Sequence, residues 1–195
     1  MRLLLKRLIQ ACFLIYAFPF ALLCGFGRVG VMFTLFAQAF ATLPGFIGSF
    51  ARAAFYRLTL AECSIDVVIG LGSYFSRSGA VVGANASIGS YCIIGKAQIG
   101  ARTQISSHVE IPGGRTQHVR DAQGRLSDTV EVPEGLLQIG EDCWIGASAV
   151  VMASVGSQST IGAGSVVVRE IPPGVVAVGV PAKPITPKPF STEIA

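Results

Sequence analysis

The chain has two histidines, His108 and His118. Imidazole is the side chain whose ordinary pKa suits proton transfer near neutral pH, so either residue could act as a general base toward a hydroxyl. His108 falls three places after Ile105, inside a periodic stretch, at a corner position that points outward. His118 falls in residues 112–138, which lack the period and hold Gly113, Gly114, Arg115, Arg120, Asp121, Arg125, Asp128, Glu131 and Glu134. A solvated histidine is the plain alternative for each. Two imidazoles cannot complete a three-histidine metal site, and the five cysteines, at 12, 24, 63, 92 and 143, show no metal-ligand spacing. No metal is expected.

The elements that must position these groups are written in a repeat. Ile139, Ile145, Val151, Val155, Ile161 and Val167 recur at steps of six, apart from one step of four, and Gly follows Ile139, Ile145, Val155 and Ile161. Upstream, Val82-Gly83, Ile88-Gly89, Ile94-Gly95 and Ile99-Gly100 follow at steps of six, six and five, continued at six by Ile105 and Ile111. A six-residue period fits a triangular coil of short strands, with the branched residue inward. The Gly after it is expected to free the backbone at the corner. Small residues four places after the branched one, Cys143, Ala149, Ser159 and Ser165, fit a narrow interior, as does Cys92. About 18 residues per turn gives about four coils over residues 64–111 and 139–168. The 27 residues between them form an excursion, and an excursion of that length from a compact solenoid is functional or disordered. Prolines after Val168 are expected to end the coil and lead into an extended tail.

The first 60 residues differ in kind. Six of the fifteen basic residues and none of the eleven acidic ones lie in residues 1–61, so the net charge of +4 belongs to this segment. Ten of the twelve phenylalanines lie there too. Leu8 to Phe26 is long enough to cross a bilayer, Val29 to Leu43 is a second apolar stretch, and Pro44-Gly45 separates it from a third piece carrying Arg52 and Arg57. A cleaved signal peptide conflicts with apolar sequence that continues long past any cleavage point. A lipoprotein site at Cys24 conflicts with Leu23 at the place of a small residue. The remaining reading is a retained membrane segment, a hairpin or a set of re-entrant and interfacial helices, with the basic flanks in the cytoplasm. Basic, apolar sequence of this kind suits a membrane surface rather than nucleic acid.

CWIGASAVV, IGAGSVVVREIPPGVVAVGVPAK and a histidine upstream of Trp144 resemble the hexapeptide-repeat acyltransferases, in particular the maltose, galactoside and xenobiotic O-acetyltransferase branch, over about residues 64–187. The resemblance implies a mainly β protein built on a left-handed parallel β-helix, a homotrimer with sites between subunits, and acetyl-CoA as donor. The family's catalytic histidine lies roughly two dozen residues before the tryptophan, which matches His118 (26 before Trp144) better than His108 (36 before it). Asp121 or Glu110 would orient the ring, and a corner N–H would hold the oxyanion. The pantetheine arm would run against the backbone at Ala147 and Ala163. Arg169, Gly179 and Lys183, the last two in GVPAK, match the family's positions near the nucleotide. The chain departs from the branch in its short Ala153-Ser154-Val155-Gly156 turn, in Thr186 at a commonly basic place, and in its apolar N-terminus.

The expectation is therefore an apolar helical segment over 1–60, a β-helix over 61–171 with excursion 112–138, and a tail over 172–195. The expected activity is O-acetylation of a sugar hydroxyl, on a lipid-linked or growing envelope polysaccharide, at the cytoplasmic face of the inner membrane. Acyl transfer from an acyl carrier protein and a non-catalytic membrane-anchored scaffold are the alternatives.

Overall fold

The computed structural model describes residues 2–113, 119–120, 123–127 and 136–185. From Glu62 onward, very short strands separated by tight corners wind a three-faced parallel β-helix. Coil 1 holds β1 (Glu62–Cys63), β2 (Val68–Ile69) and β3 (Tyr74–Phe75). Coil 2 holds β4 (Val81–Val82), β5 (Ser87–Ile88) and β6 (Ile93–Ile94), and coil 3 holds β7 (Ala97–Ile99), β8 (Gln104–Ile105) and β9 (Glu110–Ile111). The excursion contains an antiparallel pair, β10 (Val119–Arg120) and β11 (Leu126–Ser127). Coil 4 resumes with β12 (Leu137–Ile139), β13 (Trp144–Ile145) and β14 (Val150–Val151). Coil 5 has Val155, β15 (Thr160–Ile161) and β16 (Val166–Val167). Each face pairs in register down the stack, for example Ile69, Ile88, Ile105, Ile145 and Ile161 on the second face.

Five coils are complete, not four, and a sixth begins: Ile171 bridges to Val155, and β17 (Val176–Val178) pairs with β15. The count falls short because each stretch of repeats starts and ends on a strand and needs no closing corner. The prolines do not stop the stack at Val168; β18 (Lys183–Ile185) does, by folding back antiparallel on β17.

The interior is filled as the repeat dictates. Isoleucines and valines form three columns, and Cys92, Cys143, Ala149, Ser159 and Ser165 are buried between them. The repeat glycines serve a different purpose from the expected one. Left-handed backbone occurs later in each corner, at Asn85, Arg102, Asp142 and Gln158 between the first and second faces, and at Tyr91, His108 and Ser148 between the second and third. The glycines are needed for close approach: a Cβ on Gly89 would lie 2.6 Å from the Ser106 carbonyl carbon, and one on Gly146 would strike the Ala163 amide.

Three helices close the coil-1 end: α1 (Arg2–Leu23), α2 (Gly30–Ala41) and α3 (Gly45–Thr59). α3 packs on β1 and β2, α2 packs on β3, and α1 lies against α3. Arg52 is fully buried, donating to the carbonyls of Phe40 (3.1 Å), Leu43 (2.7 Å) and Ile69 (2.9 and 3.0 Å). It thereby satisfies the open C-terminal carbonyls of α2 and fixes α3 to coil 1. The Phe75 N–H donates to the buried Tyr56 hydroxyl at 3.1 Å.

α1 buries Gln10, Ala17, Ala21 and Cys24 along one stripe, at the spacing of a docked helix. Its opposite stripe, with Leu8, Ile15, Phe18 and Leu22, is exposed and equally apolar. Leu3–Leu23 is long and apolar enough to cross a membrane by length and composition. Yet the start of this helix is tied to coil 1, and the turn after it comes back to α3 and to the corner at the end of coil 1. Lys6 and Arg7 pair with Asp66 at 2.8 and 3.0 Å, and Gln10 donates to the Ile65 carbonyl at 3.1 Å. Just past the other end, Gly27 packs against the Thr59 carbonyl and Ser78.

Candidate active site

The corner between the second and third faces gathers four of the residues singled out in the sequence. Coils 1 to 5 contribute Leu71-Gly72, Ser90-Tyr91, Ser107-His108, Ala147-Ser148 and Ala163-Gly164 in turn. Each corner amide donates to the corner above: His108 to Ser90 (2.9 Å), Ser148 to Ser107 (3.0 Å), Gly164 to Ala147 (2.8 Å). Gly179 completes the line, with its N–H on Ser165 Oγ (3.1 Å) and its carbonyl accepting from Val166 (3.0 Å). His108, Ala147, Ala163 and Gly179 thus share one exposed edge at a rise of roughly 4.8 Å per coil.

Small side chains keep this edge shallow, so an extended ligand could lie against backbone. His108 is exposed and stacks on Tyr91, ring centroids 5.4 Å apart and 12° from parallel. Sequence reasoning missed Tyr91; its separation of 17 residues, one coil, was the available signal. Trp144 stands 57% exposed on the adjoining second face, its indole N–H donating to Ser106 Oγ at 3.3 Å.

Other residues fall elsewhere. Arg169 is exposed at the corner between the third and first faces, and Lys183 is exposed on β18. Glu110 is exposed on the third face, opposite Val150. His118, Asp121 and Thr186 lie outside the described residues. The excursion leaves the coil at Pro112-Gly113, at the same corner as Arg169 and two coils before it.

Across the remaining corner, between the first and second faces, Arg102 holds the coils on either side of the excursion together. Its guanidinium donates to both oxygens of Asp142 (2.7 Å each) and to Glu141 (2.9 Å), in the bidentate geometry that suits a carboxylate. That contact holds the Asp142 carboxyl below its ordinary pKa. Burial pushes the Cys63 thiol up to about 12 and raises those of Cys92 and Cys143, so these three remain unreactive thiols. Among the described residues no group of three His, Cys, Asp or Glu side chains could hold a metal.

Residues 137–169 match the hexapeptide repeat of succinyl-transferase. The galactoside O-acetyltransferase of Escherichia coli is 47% identical over 51 residues, which is 25% of each chain. The bifunctional protein GlmU of Prochlorococcus marinus is 31% identical over 124 residues, 61% of this chain and 27% of that one. The chain spans about a quarter of the length of these curated relatives. Among solved structures, a maltose O-acetyltransferase from Clostridium difficile superposes with a TM-score of 0.63 at 24% identity, covering 80% of this chain and 87% of that one. The resemblance to hexapeptide-repeat acyltransferases therefore holds at the level of repeat, fold and relatives. The apolar helices that precede the coil are the part that sets this chain's organisation apart from a bare solenoid.

Proposed function

We propose that the protein is a membrane-associated O-acetyltransferase that moves an acetyl group from acetyl-CoA to a sugar hydroxyl on a lipid-linked or growing envelope saccharide. The observation that carries this reading is the shallow edge joining His108, Ala147, Ala163 and Gly179, at one end of which sits an apolar helical layer. Two of the relatives are named for acetylating sugars. The pantetheine arm lies along the edge, with Arg169 and Lys183 toward the nucleotide phosphates. His118 takes the acceptor hydroxyl proton as that oxygen attacks the thioester carbonyl. The carbon–sulfur bond then breaks, and the thiolate of CoA leaves and is protonated. A homotrimer brings a neighbouring wall to each edge.

The helical layer rests on the cytoplasmic face of the inner membrane. Fifteen of the twenty-two exposed large hydrophobic residues described lie in the first 47 residues. An α-helix of 22 residues is about 33 Å long, close to the hydrocarbon thickness of about 30 Å. A crossing α1 would hold its ends on opposite sides of the bilayer, yet its start is tied to Asp66 of coil 1 and the turn after it lies against Thr59 of α3 and Ser78. That supports a layer lying in the interface, with basic residues toward anionic headgroups.

The test is thiol release from acetyl-CoA by the full chain in detergent. His118→Ala should lower kcat by about two to four orders of magnitude with donor affinity kept, and His108→Ala should act on KM. The reverse ranking would move the base to His108, and no thiol release with any saccharide would sink the reading.

A further inference from the structure

A second cavity, apart from the donor edge, opens at the corner between the third and first faces of coils 1 and 2. It measures about 560 Å³ and lies between the start of α2 and the corner segments around Ser78 and Lys96. Arg28, Arg77 and Lys96 line it, and no acidic side chain does among the described residues. Gly30 and Val31, the first residues of α2, line it as well. That helix begins without a side-chain cap and with no acidic residue in its first turn. Its first amides therefore present the positive end of the helix dipole uncompensated. The space over Gly30 is open: an added Cβ there meets nothing within 4 Å.

Two guanidinium forks, Arg28 and Arg77, and a helix N-terminus on the lining of one cavity suit an anion with several oxygens, which is the chemistry of phosphate. The surroundings indicate what that phosphate carries. Val31 is 82% exposed, and Phe26 and Val29 beside it are exposed too, so an apolar chain attached to the phosphate would find apolar surface at once. On the side away from the helices, Gly113 sits against the Lys96 backbone, and the excursion with His118 starts there.

We propose that this cavity seats the phosphate or diphosphate of a lipid-linked saccharide. Its lipid runs out along Phe26, Val29 and Val31, and its sugar is directed to the root of the excursion at Gly113. The saccharide part rests on the acetyltransferase reading; the phosphate site does not. The donor's nucleotide phosphates are another source of the same chemistry. Arg169, expected to meet them, sits at the same corner three coils further on, roughly 14 Å away.

Titration calorimetry of the full chain in detergent tests the site, with farnesyl diphosphate, inorganic pyrophosphate and farnesol as probes. Farnesyl diphosphate should bind saturably, pyrophosphate more weakly, and farnesol not at all. The double variant Arg28→Gln, Arg77→Gln should weaken farnesyl diphosphate at least tenfold and leave acetyl-CoA binding unchanged. Gly30→Asp should do the same while keeping or raising Tm, because a carboxylate stabilises a helix N-terminus; this separates loss of the site from loss of the fold. Unchanged farnesyl diphosphate binding in both variants overturns the proposal. So does a parallel loss of acetyl-CoA affinity, which would mark a nucleotide site, or displacement by an equal concentration of phosphatidylglycerol, which would mark a general headgroup seat. Absence of acetyl transfer in the thiol-release assay would end the catalytic reading and leave the binding result standing.

Discussion

The helical cap and the coil stack are held together by opposite strategies. In the stack the same contact recurs at each level: a branched residue above a branched residue, and a strand paired above and below. Loss of one is local, and its neighbours are copies. In the cap each tie is made once. Arg52 and the Gly72 amide, which donates to the Ala41 carbonyl at 2.8 Å, join the end of α2 to coil 1, Tyr56 accepts the Phe75 amide, and Asp66 collects Lys6, Arg7 and Gln10. A repeat spreads its stability over many equivalent sites, as expected for solenoids, whereas this cap, beyond its aromatic core, is tied to the coil by a few polar contacts that each occur once.

The sharpest way to break that contrast is Arg52→Ala. It leaves the carbonyls of Phe40, Leu43 and Ile69 facing a cavity, so a loss of about 3–5 kcal/mol is expected. Limited proteolysis should cut first between α2 and coil 1, with the coils protected. A uniform loss of protection across the chain would mean that cap and stack are one cooperative unit.

Ile145→Ala, in the middle of the second-face column, should cost about 2–4 kcal/mol through the cavity it leaves. Hydrogen exchange should rise in coils 3 to 5 and stay low in the cap, and faster exchange in α3 would contradict the division.

The smallest expected effect is at Asp66. Lys6, Gln10 and Arg7 hold its carboxyl down to about 2, below the ordinary 3.8. Because the folded pKa is the lower one, the contribution is present above about pH 4 and is lost as pH falls toward 2. Both ion pairs are partly solvated, so Asp66→Asn should cost about 1 kcal/mol or less. The Tm difference between Asp66→Asn and the parent should shrink as pH is lowered from 5 to 2. A difference that stays constant over that range would show that the ion pairs do not hold α1.

What the sequence made legible follows the same division. The coil could be read because its information is local: a branched residue every sixth position and small residues at fixed offsets, as with Cys143 four after Ile139. Even there the glycines misled, since their role is contact with the next coil, as between Gly146 and Ala163, and no single-coil argument shows it. The cap could be read only as apolar and basic, because its geometry rests on pairs far apart in the chain, such as Arg7 with Asp66 and Arg52 with Ile69. The candidate edge was half legible: Ala147 and Ala163 lie one coil apart and fall in the motifs that carry the resemblance, but Tyr91 over His108 needed the coil length. The basic cavity was not legible at all, because Arg28 and Arg77 come together only once the cap has docked.

The tie of the start of α1 to coil 1, and of the turn after it to α3 and Ser78, has a consequence for how the chain is made. A ribosome produces the helices first, and at about 5–20 residues per second it takes several seconds more to reach Asp66, where α1 is fastened, and Ser78, against which the turn after α1 lies. During that interval Arg52 and Tyr56 lack the coil-1 partners, Ile69 and Phe75, on which they close, while Leu8, Ile15 and Phe18 stay exposed as they do in the finished fold. On the membrane-associated reading proposed above, a bilayer surface in contact with the nascent helices would shelter their apolar faces before the tunnel releases coil 1.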